Sequence, residues 1–402
     1  MLKLRIPDWR LALASATAIG ATALLVACGG GGDATPAAGA TPPVASSYTQ
    51  GAITGFGSVF VAGVRFDDSA ATFDDDEGNS RSRAELKLGM MVEVDAGAVD
   101  RSAASALALR IRLGNEIVGP VGTKDVAAST VQVLGQTVLV TTSTVFDETL
   151  AGGLSALTTG TVVEVYGILD PTTGRVVATR IEAEAGATAY KLRGLISNLN
   201  TTLKTFTING QLISYASLPG VGVPPGLTNG QIVRVRLQTT QVAGAWVATA
   251  LRGGLRVPDV AHREAHVEGV ISTFTSTGNF EVNGLKVDAR GATFPDGTAG
   301  IVLGARVEVE GVVTAGVLVA SKVEIAERRT PAERPLELRG ELGNINTTDK
   351  TFALRGVTVW YGGAVEYRDG TEATLANGKR VEVKGVLSTD RTRLEARRIE
   401  FK

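Results

Sequence analysis

The sequence predicts an all-β protein: a tandem array of five small OB-like, five-stranded β-barrel modules behind a lipoprotein signal peptide and a disordered tether. Three observations predict it. An apolar residue three before a glycine, followed by Val-x-Val or its equivalent, recurs five times. Apolar and polar residues alternate with period 2, and no long 3.6-residue pattern follows the leader. Forty-nine glycines with only three Met fit short strands joined by tight turns.

At the start of the chain, Lys3, Arg5 and Arg10 precede an uncharged run from Leu11 to Ala27 that ends Leu25-Val26-Ala27-Cys28. A basic segment, an apolar segment and small residues at a cleavage point form an export signal, residues 1–27. Its last four residues resemble a bacterial lipobox. The resemblance implies cleavage before Cys28, lipidation of that residue and attachment to a membrane. Gly29 in place of Asp favours the outer membrane. Residues 28–47 are rich in Gly, Ala, Pro and Thr with one charge, Asp33. Such a segment buries no apolar surface and serves as a tether reaching on the order of 25 Å.

The modules are expected at 48–114, 115–186, 187–256, 257–329 (with a leading linker) and 330–402. Each opens on a strand glycine: Gly51, Gly119, Gly194, Gly269 or Gly340. A second strand ends in a turn glycine, as in Phe206-x-Ile208-x-Gly210 and Phe280-x-Val282-x-Gly284. Asn209-Gly210 and Asn283-Gly284 are strong hairpin signals, because both residues tolerate positive φ. A third strand and a variable loop follow, with Phe73, Phe146, Phe294 and Tyr367 expected to plug the core. The repeated turns then come at Gly89, Gly160, Gly230, Gly304 and Gly378, steps of 70 to 74 residues. An alanine strand closes each module, as in Ala320-Ser-Lys-Val323. Five short strands in this order match an OB-type barrel. One long continuous β structure is the alternative.

The Phe-x-Val-Asn-Gly hairpin at Phe280–Gly284, the Gly-x-x-Val-Glu-Val-x-Gly run at Gly304–Gly311 and the Ala-x-Lys-Val-Glu ending at Ala320–Glu324 resemble DUF5666, a domain of unknown function found in tandem in bacterial envelope lipoproteins. Modules two, four and five fit well. Modules one and three depart, with Ala96 and Leu237 where the others have Gly167, Gly311 and Gly385. The resemblance implies no activity.

The recurring positions are glycines, core residues and surface Glu or Arg; no Ser, His, Cys or paired carboxylate recurs. The chain is therefore read as non-catalytic, with no cofactor and no small-molecule substrate. Lys+Arg at 40 against Asp+Glu at 41 gives no excess charge for engaging phosphates, so nucleic acid is not an expected partner. His262 and His266 lack the glutamate placement of zinc proteases, and His266 is read as beginning a strand, so the pair is read as part of an interdomain linker rather than a metal site. The acidic loop Asp74, Asp75, Asp76, Glu77 is a weak calcium candidate, because its spacing is not that of an EF-hand.

Module three carries no Asp or Glu from Tyr190 to Arg256, but seven cations. Lys191, Arg193, Arg234 and Arg236, with Trp246 nearby, form a candidate anionic-ligand face. It either binds an anionic polymer such as an envelope polysaccharide, or packs on acidic neighbours, with Asp125–Glu184 and Glu308 and Glu310 as the surfaces considered. The function expected is that of a lipid-anchored cell-envelope protein with a binding or structural role, its partner an envelope polysaccharide or another envelope protein. Alternatives are a carbohydrate- or anionic-polymer-binding lipoprotein and an enzyme sited in one divergent module.

Overall fold

Ten valine side chains show how the repeat folds. Val92, Val94, Val163, Val165, Val233, Val235, Val307, Val309, Val381 and Val383 are all at most 2% exposed. Alternation sends them to one face of a strand, and that face is the inside of a barrel. The computed structural model describes residues 46–150, 152–254, 264–326, 336–389 and 392–402. The leader, Cys28, the tether up to residue 45, Arg256 and His262 lie outside these.

In the N-terminal barrel the strands are β1 (Ser47–Phe56), β2 (Val59–Val61), β3 (Val64–Asp67), β4 (Thr72–Asp75), β5 (Met91–Ala96) and β6 (Ser105–Leu113). β1 pairs antiparallel with β2 and β5, β2 with β3, and β5 with β6. β3 runs parallel to β6, so the hydrogen bonding returns to its start and the barrel closes. Closure leaves few free edges. The same cycle of pairings is traced over residues 117–183, 190–253, 264–325 and 336–401. The described residues hold strands and short 3-10 turns but no α-helix.

Three sets of residues explain why one pattern yields one fold. The turn glycines Gly89, Gly160, Gly230, Gly304 and Gly378 all have φ between 81 and 87°. In the hairpins, the glycine and the residue before it both have positive φ, including Ala62-Gly63, Leu134-Gly135 and Arg355-Gly356, where no asparagine advertises the turn. Gly167, Gly311 and Gly385 sit at β-bulges opposite Ala178, Ala320 and Ala396, where a Cβ would meet a backbone carbonyl at 2.4 Å or less. The bulge persists opposite Ala108 and Ala248, although Ala96 and Leu237 replace the glycine.

The expected aromatic plugs need correction. Phe146 is fully buried, whereas Phe73, Phe294 and Tyr367 pack against the cores but are only partly buried. Phe66, Phe206, Phe280 and Phe352, from the second and third strands, fill the barrels instead.

The barrels are not joined like beads in chain order. Ser47–Gln50 of β1 pairs in parallel with Glu264–Val267, and its far end, Gly55–Phe56, pairs in parallel with Glu337–Leu338. Ile117–Val118 pairs with Lys191–Leu192. In each case opening strands meet, and β1 braces barrels more than 200 residues away. One continuous core runs through the N-terminal and 336–401 barrels, and another through the 117–183 and 190–253 barrels. The 264–325 barrel has the most self-contained core, with Tyr48 of β1 its one buried member from elsewhere among the described residues.

Candidate functional site

Strand register gathers the cations of the 190–253 barrel. Arg193 lies opposite Arg234, which lies opposite Arg252, and Lys191 lies opposite Arg236. Like charges directly opposite on a sheet repel, so these rows require anions above them. The β4–β5 connection of the N-terminal barrel supplies them. Asp76 takes an ion pair from Arg234 Nη1 and its carbonyl accepts from Arg234 Nη2 at 3.0 Å. Glu77 faces Arg236 at 3.7 Å and Lys191 at 3.6 Å, and its carbonyl accepts from Arg252 at 3.3 Å.

The cationic face and the acidic loop, read separately in the sequence, are thus the two halves of one junction. The acidic surfaces considered from sequence were others. Glu308 lies opposite Glu268 within its own barrel, and Glu310 pairs with Lys322. Trp246 stands apart from the cations. It meets Tyr190 edge-on at 5.6 Å and donates its indole N–H to Gln211.

The loop itself is tightly built. Asp75 accepts hydrogen bonds from the backbone N–H groups of Glu77 and Asn79, from the Asn79 amide and from Arg81. Burial alone would raise its pKa, but these donors hold it below the usual carboxylate range. Asp74 is taken by Arg112. The four acidic side chains therefore turn to different donors rather than converging on one point, as calcium would require.

Asn115 and Glu116 read as a short linker, and nothing in their residue types points to a role. Glu116 is 4% exposed and accepts from Arg193 Nη1 at 2.7 Å. Burial pushes its carboxyl up despite Arg193. Asn115 donates its amide to Glu164. Glu164 is likewise raised, first by burial, with Glu182 adding to the effect and Asn115 opposing it. A second group of charges joins the N-terminal and 117–183 barrels. There Arg180, 4% exposed, donates to the Leu88 carbonyl and pairs with Asp147 and Glu182, and Lys87 reaches both carboxylates.

A pH dependence follows. A carboxyl whose pKa is raised in the folded state contributes stability below its unfolded value, near 4.5, and that contribution is lost as pH rises through the folded value. Glu164→Gln keeps the acceptor for Asn115 without the charge. In urea titrations it should match the parent near pH 4 and exceed it near pH 7. A variant less stable than the parent at the higher pH would show that the Glu164 charge is favourable.

Three stretches of the chain, residues 118–182, 268–324 and 339–400, match the family described as Domain of unknown function (DUF5666). Over these segments the chain is similar to DUF5666. The DUF5666 segments coincide with the barrels at 117–183, 264–325 and 336–401. The N-terminal and 190–253 barrels, which lie outside them, are the two that carry Ala96 and Leu237 at the bulge and that meet through the acidic loop. No curated protein matches the chain.

Proposed function

We propose that this chain is a lipid-anchored protein of the bacterial cell envelope, held at the outer membrane through Cys28, with a structural or binding role and no catalysis. The observation that carries the reading is the placement of β1. It is the first strand after the tether, and it hydrogen-bonds to the opening strands of the 264–325 and 336–401 barrels. A pull on an anchor at Cys28 would therefore reach the strand that braces the body. In this reading the chain forms five OB-like modules. The pairing cycle supports the likeness: first strand to second, second to third, third parallel to last, and last to fourth.

A scaffold also suits the repeated residues, which serve turns, bulges and barrel interiors, while many outward charges are spent between strands and barrels. Arg306 pairs with Glu268 at 2.7 Å, and Arg339 with Glu382 at 2.6 Å. An envelope polysaccharide or a second envelope protein is the partner class such a body would hold.

The address is tested by labelled-palmitate incorporation in a related bacterium. The parent should take up label and be processed, whereas Cys28→Ser should do neither. Full labelling of the variant would overturn the anchor.

A further inference from the structure

Between the cationic rows and the acidic loop lies a cavity of about 100 Å³, lined by residues of the N-terminal and 190–253 barrels and by Asn115 and Glu116 of the linker. Five of its side chains are cationic (Lys191, Arg193, Arg234, Arg236 and Arg252) and three are carboxylates (Asp76, Glu77 and Glu116), an excess of two positive charges. Glu116 is committed to Arg193, and Asp76 to Arg234. The other three cations are poorly served. Lys191 is only 19% exposed, and its nearest carboxylate oxygens stand at 3.6 and 3.8 Å, beyond hydrogen-bond reach. Arg236 approaches Glu77 at 3.7 Å, and Arg252 donates one hydrogen bond, to a backbone carbonyl. A half-buried ammonium held only by long ion pairs keeps donors free for a closer anion.

We propose that this cavity binds a small dianionic oxyanion, free phosphate or the terminal phosphate of a monoester, held by Lys191, Arg236 and Arg252. Two negative charges balance the excess, and a tetrahedral oxyanion offers oxygens to the ammonium and to guanidinium forks at once. The cavity holds several waters' worth of space, enough for one such group and too little for a polymer segment. The Asp76–Glu77 loop closes one side of the cavity. It is fixed by its Asp75 hydrogen bonds, so it forms a wall rather than a plug that must leave.

The test is calorimetric titration of the unlipidated mature chain with inorganic phosphate and, separately, glycerol phosphate, at low salt. Saturable binding of inorganic phosphate with one site per chain is expected. Lys191→Gln and Arg252→Gln should each weaken it about tenfold, as loss of one charge-assisted hydrogen bond implies. Arg252 is exposed, so its variant keeps the test valid if Lys191→Gln fails to fold. Glycerol phosphate binding at the same site would assign it to monoesters, and binding of inorganic phosphate alone would assign it to the free ion. No saturable binding of either compound, or binding unchanged in both variants, would overturn the proposal.

Discussion

Arg234→Glu should destabilise the protein by about 3–5 kcal/mol, read as a fall in thermal midpoint and faster cleavage between barrels by added protease. Asp76 is 8% exposed, and the substitution sets a carboxylate against it in place of its guanidinium partner. Breaking a buried pair from one side leaves the other charge without compensation, which costs more than the pair contributed. Removing both charges, with Asp76→Asn and Arg234→Gln together, should lie closer to the parent than the single reversal does. Arg236→Glu should cost at most about 1 kcal/mol, because Arg236 is 43% exposed and 3.7 Å from Glu77. These variants also separate packing from polymer binding. If the face holds an anionic polymer, Arg236→Glu should lose retention on that polymer with little change in melting. An Arg234→Glu protein as stable as the parent would show that the junction does not bind the barrels.

The second large effect is expected at Gly89. It has φ of 81°, and a Cβ there would lie 2.5 Å from the Thr179 carbonyl and 3.2 Å from Arg180 Cβ of the neighbouring barrel. Gly378 has φ of 83° and nothing within 4 Å of the same position. Gly378→Ala should therefore carry only the backbone penalty of about 1–2 kcal/mol. Gly89→Ala adds a collision with backbone that cannot move without parting the barrels, and should exceed about 3 kcal/mol. Equal losses in chemical denaturation would mean that the Gly89 turn has room to shift.

The barrels were legible because each depends on short-range patterning. Val-x-Val alternation, the turn glycines and the closing alanine strands each act within a few residues, and their repetition exposed them. The grouping of Lys191, Arg193, Arg234 and Arg236 was legible for the same reason, since strand parity puts them on one face. Their partner was not. Asp76 lies 158 residues before Arg234, and nothing in an acidic loop says which cations it will meet. Glu116 was hidden because a residue between two barrels reads as linker until the barrels close around it. The parallel pairing of β1 leaves no mark either, because it uses backbone groups that every residue has. Ala62-Gly63 and Arg355-Gly356 lie between: Val59-x-Val61-x-Gly63 and Phe352-x-Leu354-x-Gly356 mark the turn glycine, but neither Ala62 nor Arg355 announces the positive φ it adopts.

Amide hydrogen exchange along β1 tests the bracing of the molecule most directly. Tyr48–Gln50 are paired on both sides, with Val94, Glu93 and Asp95 within the barrel and with Ala265–Val267 outside it. In the full mature chain, amides of residues 48–50 and 265–267 should exchange as slowly as those of Val307–Val309 inside a barrel. Exchange at these amides on the timescale of exposed loops, while the barrel strands stay protected, would contradict a braced body and leave the barrels as separate beads on a chain.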